Sequence, residues 1–207
     1  MFIFTRIRTI DPGRVGDAMT LATETSGMVR ELTGLTGNTW YQTFAPTGPA
    51  IMWTARLEHF EELDRAFETL RGSEAYLDRL AELDEHFVGP TVDNLFEVVA
   101  GTPPATPSPI VSMVQATAVN GHLRAAMHWG ADLAERFGRS MDVPTIFVRG
   151  LYGDYGSMAW GTYFDDINAL EGTHAKLTAD EMLQAVMDEG AHNCREGAIA
   201  TVARRLD

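Results

Sequence analysis

The sequence predicts an α+β protein made of two copies of one strand–helix–strand–strand–helix–strand unit, and three observations carry that reading. Trp53 and Trp160 sit in two copies of one phrase. The first runs Ile51-Met52-Trp53-Thr54-Ala55-Arg56-Leu57-Glu58, the second Met158-Ala159-Trp160-Gly161-Thr162-Tyr163-Phe164-Asp165. The tryptophans lie 107 positions apart, and the same shift carries Ile3-Phe4 onto Ile110-Val111, Ile7 onto Val114 and Leu63 onto Leu170. A period near half of the 207 residues implies two supersecondary units rather than a solenoid of short repeats. Finally, four prolines among residues 101–109 exclude a helix or a central strand there and mark a semi-rigid linker. The division expected is residues 1–100, linker 101–109, and residues 110–207.

Each element has a local reason. Residues 2–10 alternate in polarity and read as a strand. Asp11-Pro12 starts a helix, since Asp can cap and Pro suits the first helical position. Val15, Met19, Ala22, Val29 and Leu32 share one face of that helix, and Gly34 ends it. Residues 38–44, rich in Trp, Tyr, Thr and Phe, form a second strand, and residues 51–57 a third after the turn at 46–49. Residues 58–70 and 73–87 read as two helical pieces, and 94–99 as a short fourth strand. The second half repeats the order: strand 110–118, helix 121–139, a hairpin of 145–152 and 157–164, helix 179–188, and strand 198–202. The shift shrinks near the end, which places a deletion of about four residues opposite Leu80-Ala81-Glu82-Leu83. Strand-helix-strand-strand-helix-strand is the ferredoxin-like split βαβ unit.

Composition narrows the partners. A formal charge of −13 disfavours nucleic acid and anionic membrane, because phosphate binding needs clustered Lys and Arg. No apolar run approaches the roughly 20 residues that span a bilayer. Cys194 is the single cysteine, so no internal disulfide forms, and a cytoplasmic location is expected. Glu82 and His86 stand four apart on a helix, but two ligands lack a third, and no metal is expected. Nucleotide-binding, nucleophile-elbow and zinc-protease signatures are absent.

The repeated tryptophan segment, followed each time by an acidic helix start, resembles the dimeric α/β-barrel superfamily. The resemblance covers the chain twice and implies two ferredoxin-like sheets packed into an α/β barrel. The linker permits pairing within one chain or across a homodimer. The superfamily includes cofactor-independent monooxygenases of antibiotic biosynthesis, polyketide cyclases, haem-degrading enzymes and haem-binding proteins. The resemblance therefore implies a small-molecule enzyme acting on an aromatic or polyketide-like substrate without a cofactor. The alternative is a non-catalytic protein that binds a ligand, haem among the candidates, or serves in assembly. Haem-degrading members use an Asn on strand one; here that strand carries Thr5, Arg6, Ile7 and Arg8.

Candidate site residues follow from alternation and aromatic density. If Ile3 and Ile7 pack on the helices, Arg6 and Arg8 face the barrel lumen, with Glu97 as a possible partner. Trp40, Tyr41 and Trp53 form an aromatic pocket, with Asn38 beside them on strand two. Arg6 or Arg56 holds an anionic oxygen, Arg8 helps bind it, Tyr41 is a catalytic candidate beside Arg6, and His59 is the candidate base. Under the 107-residue shift, Arg6, Arg8, Trp40 and Tyr41 face Met113, Gln115, Phe147 and Val148, so one half keeps a site while the other becomes scaffold.

Overall fold

The computed structural model describes residues 1–207. Eight strands, β1 (Phe2–Ile10), β2 (Gly37–Phe44), β3 (Ala50–Leu57), β4 (Phe87–Ala100), β5 (Ile110–Thr117), β6 (Thr145–Tyr152), β7 (Ser157–Phe164) and β8 (Ile199–Arg205), close a barrel in the order β1-β3-β2-β8-β5-β7-β6-β4. The helices are α1 (Val15–Thr33), α2 (Phe60–Arg71), α3 (Glu74–Asp84), α4 (Leu123–Met141), α5 (Ile167–Ala179) and α6 (Glu181–Ala191). Two compact units result, one of Met1–Leu95 with Ala203–Asp207, the other of Phe96–Val202. This is the α+β, tandem ferredoxin-like barrel that the repeat predicts.

In the first unit, β3 runs antiparallel to both β1 and β2. Asp11 caps a short 3-10 turn at Pro12–Arg14 by accepting from the Gly13 N–H, and α1 follows. Gly34 closes α1 in the left-handed conformation, with φ 71° and its N–H on the Arg30 carbonyl. The buried face of α1 (Ala18, Ala22, Thr25) is made of small residues, which lets the helix lie close to the sheet. Trp53 donates its indole N–H toward the Ala22 carbonyl at 3.5 Å, and Ser26 meets Thr39. Helix α2 is tied to β1 by ring contacts of Phe2 with Phe60 (4.6 Å) and Phe4 with Phe67 (5.8 Å).

The second unit has the same plan and a tighter centre. Trp160 donates its indole N–H to the Gly130 carbonyl at 2.9 Å. Its ring sits 5.3 Å from Trp129 and 5.1 Å from Phe147, which is fully buried. The Trp129 indole reaches the Val186 carbonyl of α6 at 2.8 Å.

Strand pairing corrects the 107-residue alignment. Arg6 pairs with Trp53, but it is Val114 that pairs with Trp160; Thr39 pairs with Trp53 as Phe147 pairs with Trp160. On the first two strands, and on the first helix where Gly130 takes the place of Ala22, the shift is therefore 108. Arg6 and Arg8 correspond to Val114 and Ala116, Thr39 to Phe147, and Trp40 to Val148. A slip of one residue turns every strand side chain to the other face, so this one-residue change reassigns all four counterparts.

The ends of elements also differ from expectation. Strand β4 begins at Phe87 rather than near 94, because Gly89-Pro90 reads as a break yet is accommodated near the start of the strand. Helices α3 and α6 both have 11 residues at a constant shift of 107, so the length difference does not fall at Leu80–Leu83; it lies beyond, where β4 has 14 residues and β8 has 7. Helix α5, which the sequence pattern leaves unassigned, starts at Asp166, whose carboxylate accepts from the Ala169 N–H.

The paired contacts predict a stability test. A Cβ on Gly130 would lie 2.4 Å from the Phe147 ring. Gly130→Ala should cost about 1–3 kcal/mol through overpacking, read as a lower denaturant midpoint; in a Phe147→Thr background, which copies the first unit's Thr39, the same Gly130→Ala change should cost much less, because the clashing ring is gone.

Candidate functional site

The first unit encloses a cavity of about 530 Å³ between its sheet and helices α1, α2 and α3. That volume lies in the usual range for ligand pockets. Alternation along β1 builds its floor. Phe4, Arg6 and Arg8 all line it, so the arginines face the helices, and Thr5 on the opposite face is buried. The expected orientation toward the lumen is thus reversed. Across the sheet Arg6 lies beside Trp53, and Trp53 beside Thr39. The half-buried indole of Trp53 forms the centre of the floor. Val29, Leu63, Phe67 and Leu80 supply apolar walls.

One end is rich in donors. Arg6 makes a two-pronged pair with Asp93, Nε to Oδ1 at 2.8 Å and Nη2 to Oδ2 at 2.7 Å. That hydrogen bond, stronger than the opposing cost of burial, pushes the guanidinium further above its ordinary value, so Arg6 stays charged. Its guanidinium lies 5.8 Å from the ring centres of both Phe4 and Phe67. Arg8 bonds Asp84 through Nη1 and lies 4.8 Å from the ring centre of Phe87, while its Nε is buried with no hydrogen-bond partner. A buried donor left unsatisfied is costly unless something fills the need. Both carboxylate partners therefore differ from the expected Glu97, which instead bonds Arg149 at 2.6 Å. Tyr76, buried on α3, completes this end. Burial raises its phenol above the ordinary value despite the opposing pull of Arg6, so it remains a neutral O–H at physiological pH.

The far end carries hydroxyls. Thr25 and Ser26 of α1 line the cavity, and Ser26 Oγ lies 2.9 Å from the Ala22 carbonyl and 2.5 Å from Thr39 Oγ1. Arg30 also lines this end and reaches Asp207 at 3.1 Å; the same carboxylate accepts the Thr39 N–H.

Of the residues singled out from sequence, Arg6, Arg8, Trp53 and Asn38 line the cavity. The others lie elsewhere. Trp40 is 3% exposed, two positions along β2 from Asn38, and donates to Thr54 Oγ1 at 3.1 Å on the face away from Thr39. Tyr41 faces α1, within the cluster of Ile10, Ala18 and Ile51. Arg56 pairs with Ile3 on the side away from α2. His59 is exposed at the N-terminus of α2, where its backbone N–H bonds Glu62 at 2.8 Å. No histidine lines the cavity. Tyr76, Asp84, Asp93 and Ser26 were missed; Tyr76, Leu80 and Leu83 at helical spacing were the available signal for α3.

Most of the corresponding positions in the second unit are buried core, although Val114, in the place of Arg6, is exposed. Where the first unit has Arg6, Arg8, Thr25, Ser26 and Thr39, the second has Val114, Ala116, Leu133, Ala134 and Phe147. Phe147 and Trp129 close over Trp160.

The fold is the dimeric α/β-barrel fold, in a tandem form. The chain resembles a candidate monooxygenase from Fusobacterium nucleatum at a TM-score of 0.74 and 6% identity, over 100% of this chain and 92% of the other. It resembles an anthrone oxidase-like protein at 0.70 and 13%, over 99% and 90%. A haem-binding protein from Thermus thermophilus matches at 0.57 and 15%, over 100% and 91%. No family model and no curated protein matches the sequence. No helix is long and apolar enough to cross a membrane.

The raised Tyr76 phenol gives a pH prediction. Its neutral form is favoured in the fold, so above about pH 10 the unfolded chain loses this proton first and stability falls. Absorbance titration should show one phenol ionising later than the rest, and Tyr76→Phe should remove that late component. A titration curve that loses an ordinary component instead would contradict the assignment.

Proposed function

We propose that the first unit's cavity is the active site of a small-molecule enzyme acting on a flat aromatic or polyketide-like substrate, of the cofactor-independent monooxygenase or cyclase kind. The observation that carries this reading is the one-sided cavity: Trp53 with Arg6, Arg8 and Tyr76 around open space in one unit, and Trp160 covered by Phe147 and Trp129 in the other. The ligand lies on Trp53. Arg6 and Arg8 face its oxygen, and the unpartnered Nε of Arg8 donates to it. The substrate gives up its acidic proton to water at the cavity mouth, and the fixed cations stabilise the oxyanion that this leaves. The neutral Tyr76 phenol adds a second donor. A haem ligand fits less well, because no histidine reaches this space to bind the iron.

A second reading, binding without turnover, is favoured by the state of the carboxylates. Asp84 and Asp93 are both engaged with arginine, and His59 stands outside. No free base is on hand in the cavity.

Aerobic incubation with anthrone separates the two. Turnover consumes dioxygen and yields anthraquinone, followed by absorbance and an oxygen electrode. Arg6→Ala and Arg8→Ala should each reduce the rate about a hundredfold, the usual loss for an oxyanion donor, while His59→Ala, outside the cavity, should change it less than about twofold. Binding of anthrone with no oxygen uptake would reject the monooxygenase form and favour the second reading, and unaltered rates in both arginine variants would reject the site.

A further inference from the structure

We infer that Ser26, backed by Thr39, is a specificity-determining residue of this cavity: it reads a hydrogen-bond donor on the ligand at the end remote from Arg6 and Arg8. The inference rests on the cavity being the ligand site. Its basis is a proton count. Ser26 Oγ is 2.5 Å from Thr39 Oγ1, too close for two oxygens without a proton between them. If Ser26 supplies that proton, Thr39 turns its own toward Asp207 Oδ2 at 3.4 Å, and Ser26 has no proton left and both its lone pairs free. If Thr39 supplies it, Ser26 gives its own proton to the Ala22 carbonyl at 2.9 Å and keeps one lone pair. In either arrangement Ser26 offers the cavity an acceptor and no donor. Thr39 is fully buried, so its role is to fix the orientation of Ser26.

The other repeat shows that packing does not require these hydroxyls. The corresponding residues are Ala134 and Phe147, both buried and both apolar. A buried hydroxyl pair gains little net stability over apolar groups of matching shape. The pair lies next to the open space in one unit and is missing where that space is filled.

The cavity therefore has a direction. Arg6, Arg8 and Tyr76 donate at one end; at the other Ser26 accepts, while the Arg30 guanidinium is drawn toward Asp207 and the Gly37 carbonyl. Arg6, Trp53 and Thr39 stand in one row across three strands, which puts the two ends about 10 Å apart at strand spacing. The ligand class is a rigid, flat molecule with a carbonyl or carboxylate oxygen at one end and a hydroxyl at the other.

Three probes test this by calorimetry on the full chain: 6-hydroxy-2-naphthoic acid, 6-methoxy-2-naphthoic acid and 2-naphthoic acid. The unaltered protein should bind the hydroxy acid about tenfold more tightly than the other two, the upper range for one hydrogen bond. Ser26→Ala should abolish that preference while leaving 2-naphthoic acid binding within twofold, which a merely structural loss would not do. Equal affinity for all three probes, or a preference that survives Ser26→Ala, overturns the role of Ser26 and leaves the cavity reading standing. Binding of none of them overturns both.

Discussion

Everything in each unit depends on one tryptophan at the centre of its sheet, reaching with its indole N–H to a carbonyl on the helix that crosses it. The contact sets the point where helix and sheet approach most closely, and in the second unit the bond fixes it. In the second unit it is short, 2.9 Å to Gly130; in the first it is stretched to 3.5 Å toward Ala22. At the longer distance it contributes little as a hydrogen bond, and the indole face is left for other contacts. What stands beside the tryptophan then decides the outcome. Phe147 and Trp129 fill the volume over Trp160. Thr39 cannot fill it over Trp53, and the volume stays open. One scaffold thus yields a packed core or a pocket according to two or three side chains.

An open volume next to polar groups has to justify their burial. Arg6 and Arg8 lie against aromatic rings and are held by carboxylates from β4 and α3 that themselves face solvent, so each charge is paired while its partner stays hydrated. The balance is incomplete at Arg8 Nε, a buried donor aimed at nothing in the protein. Such an orphan, beside a cavity of ligand size, is the feature that packing alone does not explain. With donors at one end and the Ser26 acceptor at the other, the pocket has an electrostatic direction as well as a shape.

The repeat and the element order were legible because a 107-residue echo of a tryptophan phrase survives in the letters. Which face of β1 carries function was not. Isoleucine at positions 3 and 7 looks like the helix-facing set, yet arginines at 6 and 8 take that side, because their stems and guanidiniums pack on Phe67 and Phe87. Alternation shows that two faces exist, not which is covered. The one-residue difference in shift between strands was also invisible, and it mispaired Trp40 with Phe147. Once strand pairing sets the register, the contrast between halves becomes sharper: polar Thr39, Thr25 and Ser26 against apolar Phe147, Leu133 and Ala134. Asp84, Asp93 and Tyr76 come from elements distant in sequence, and only the fold brings them to the arginines.

The central claim is that Thr39 keeps open a ligand site that Phe147 fills in the other unit. Its most direct test is calorimetric titration of 2-naphthoic acid into Ala22→Gly/Thr39→Phe, which writes the second unit's packing into the first. The account predicts a folded protein, checked by its unfolding midpoint, that has lost at least about tenfold in affinity relative to the unaltered chain. A folded double variant that binds as tightly as the unaltered protein would contradict it.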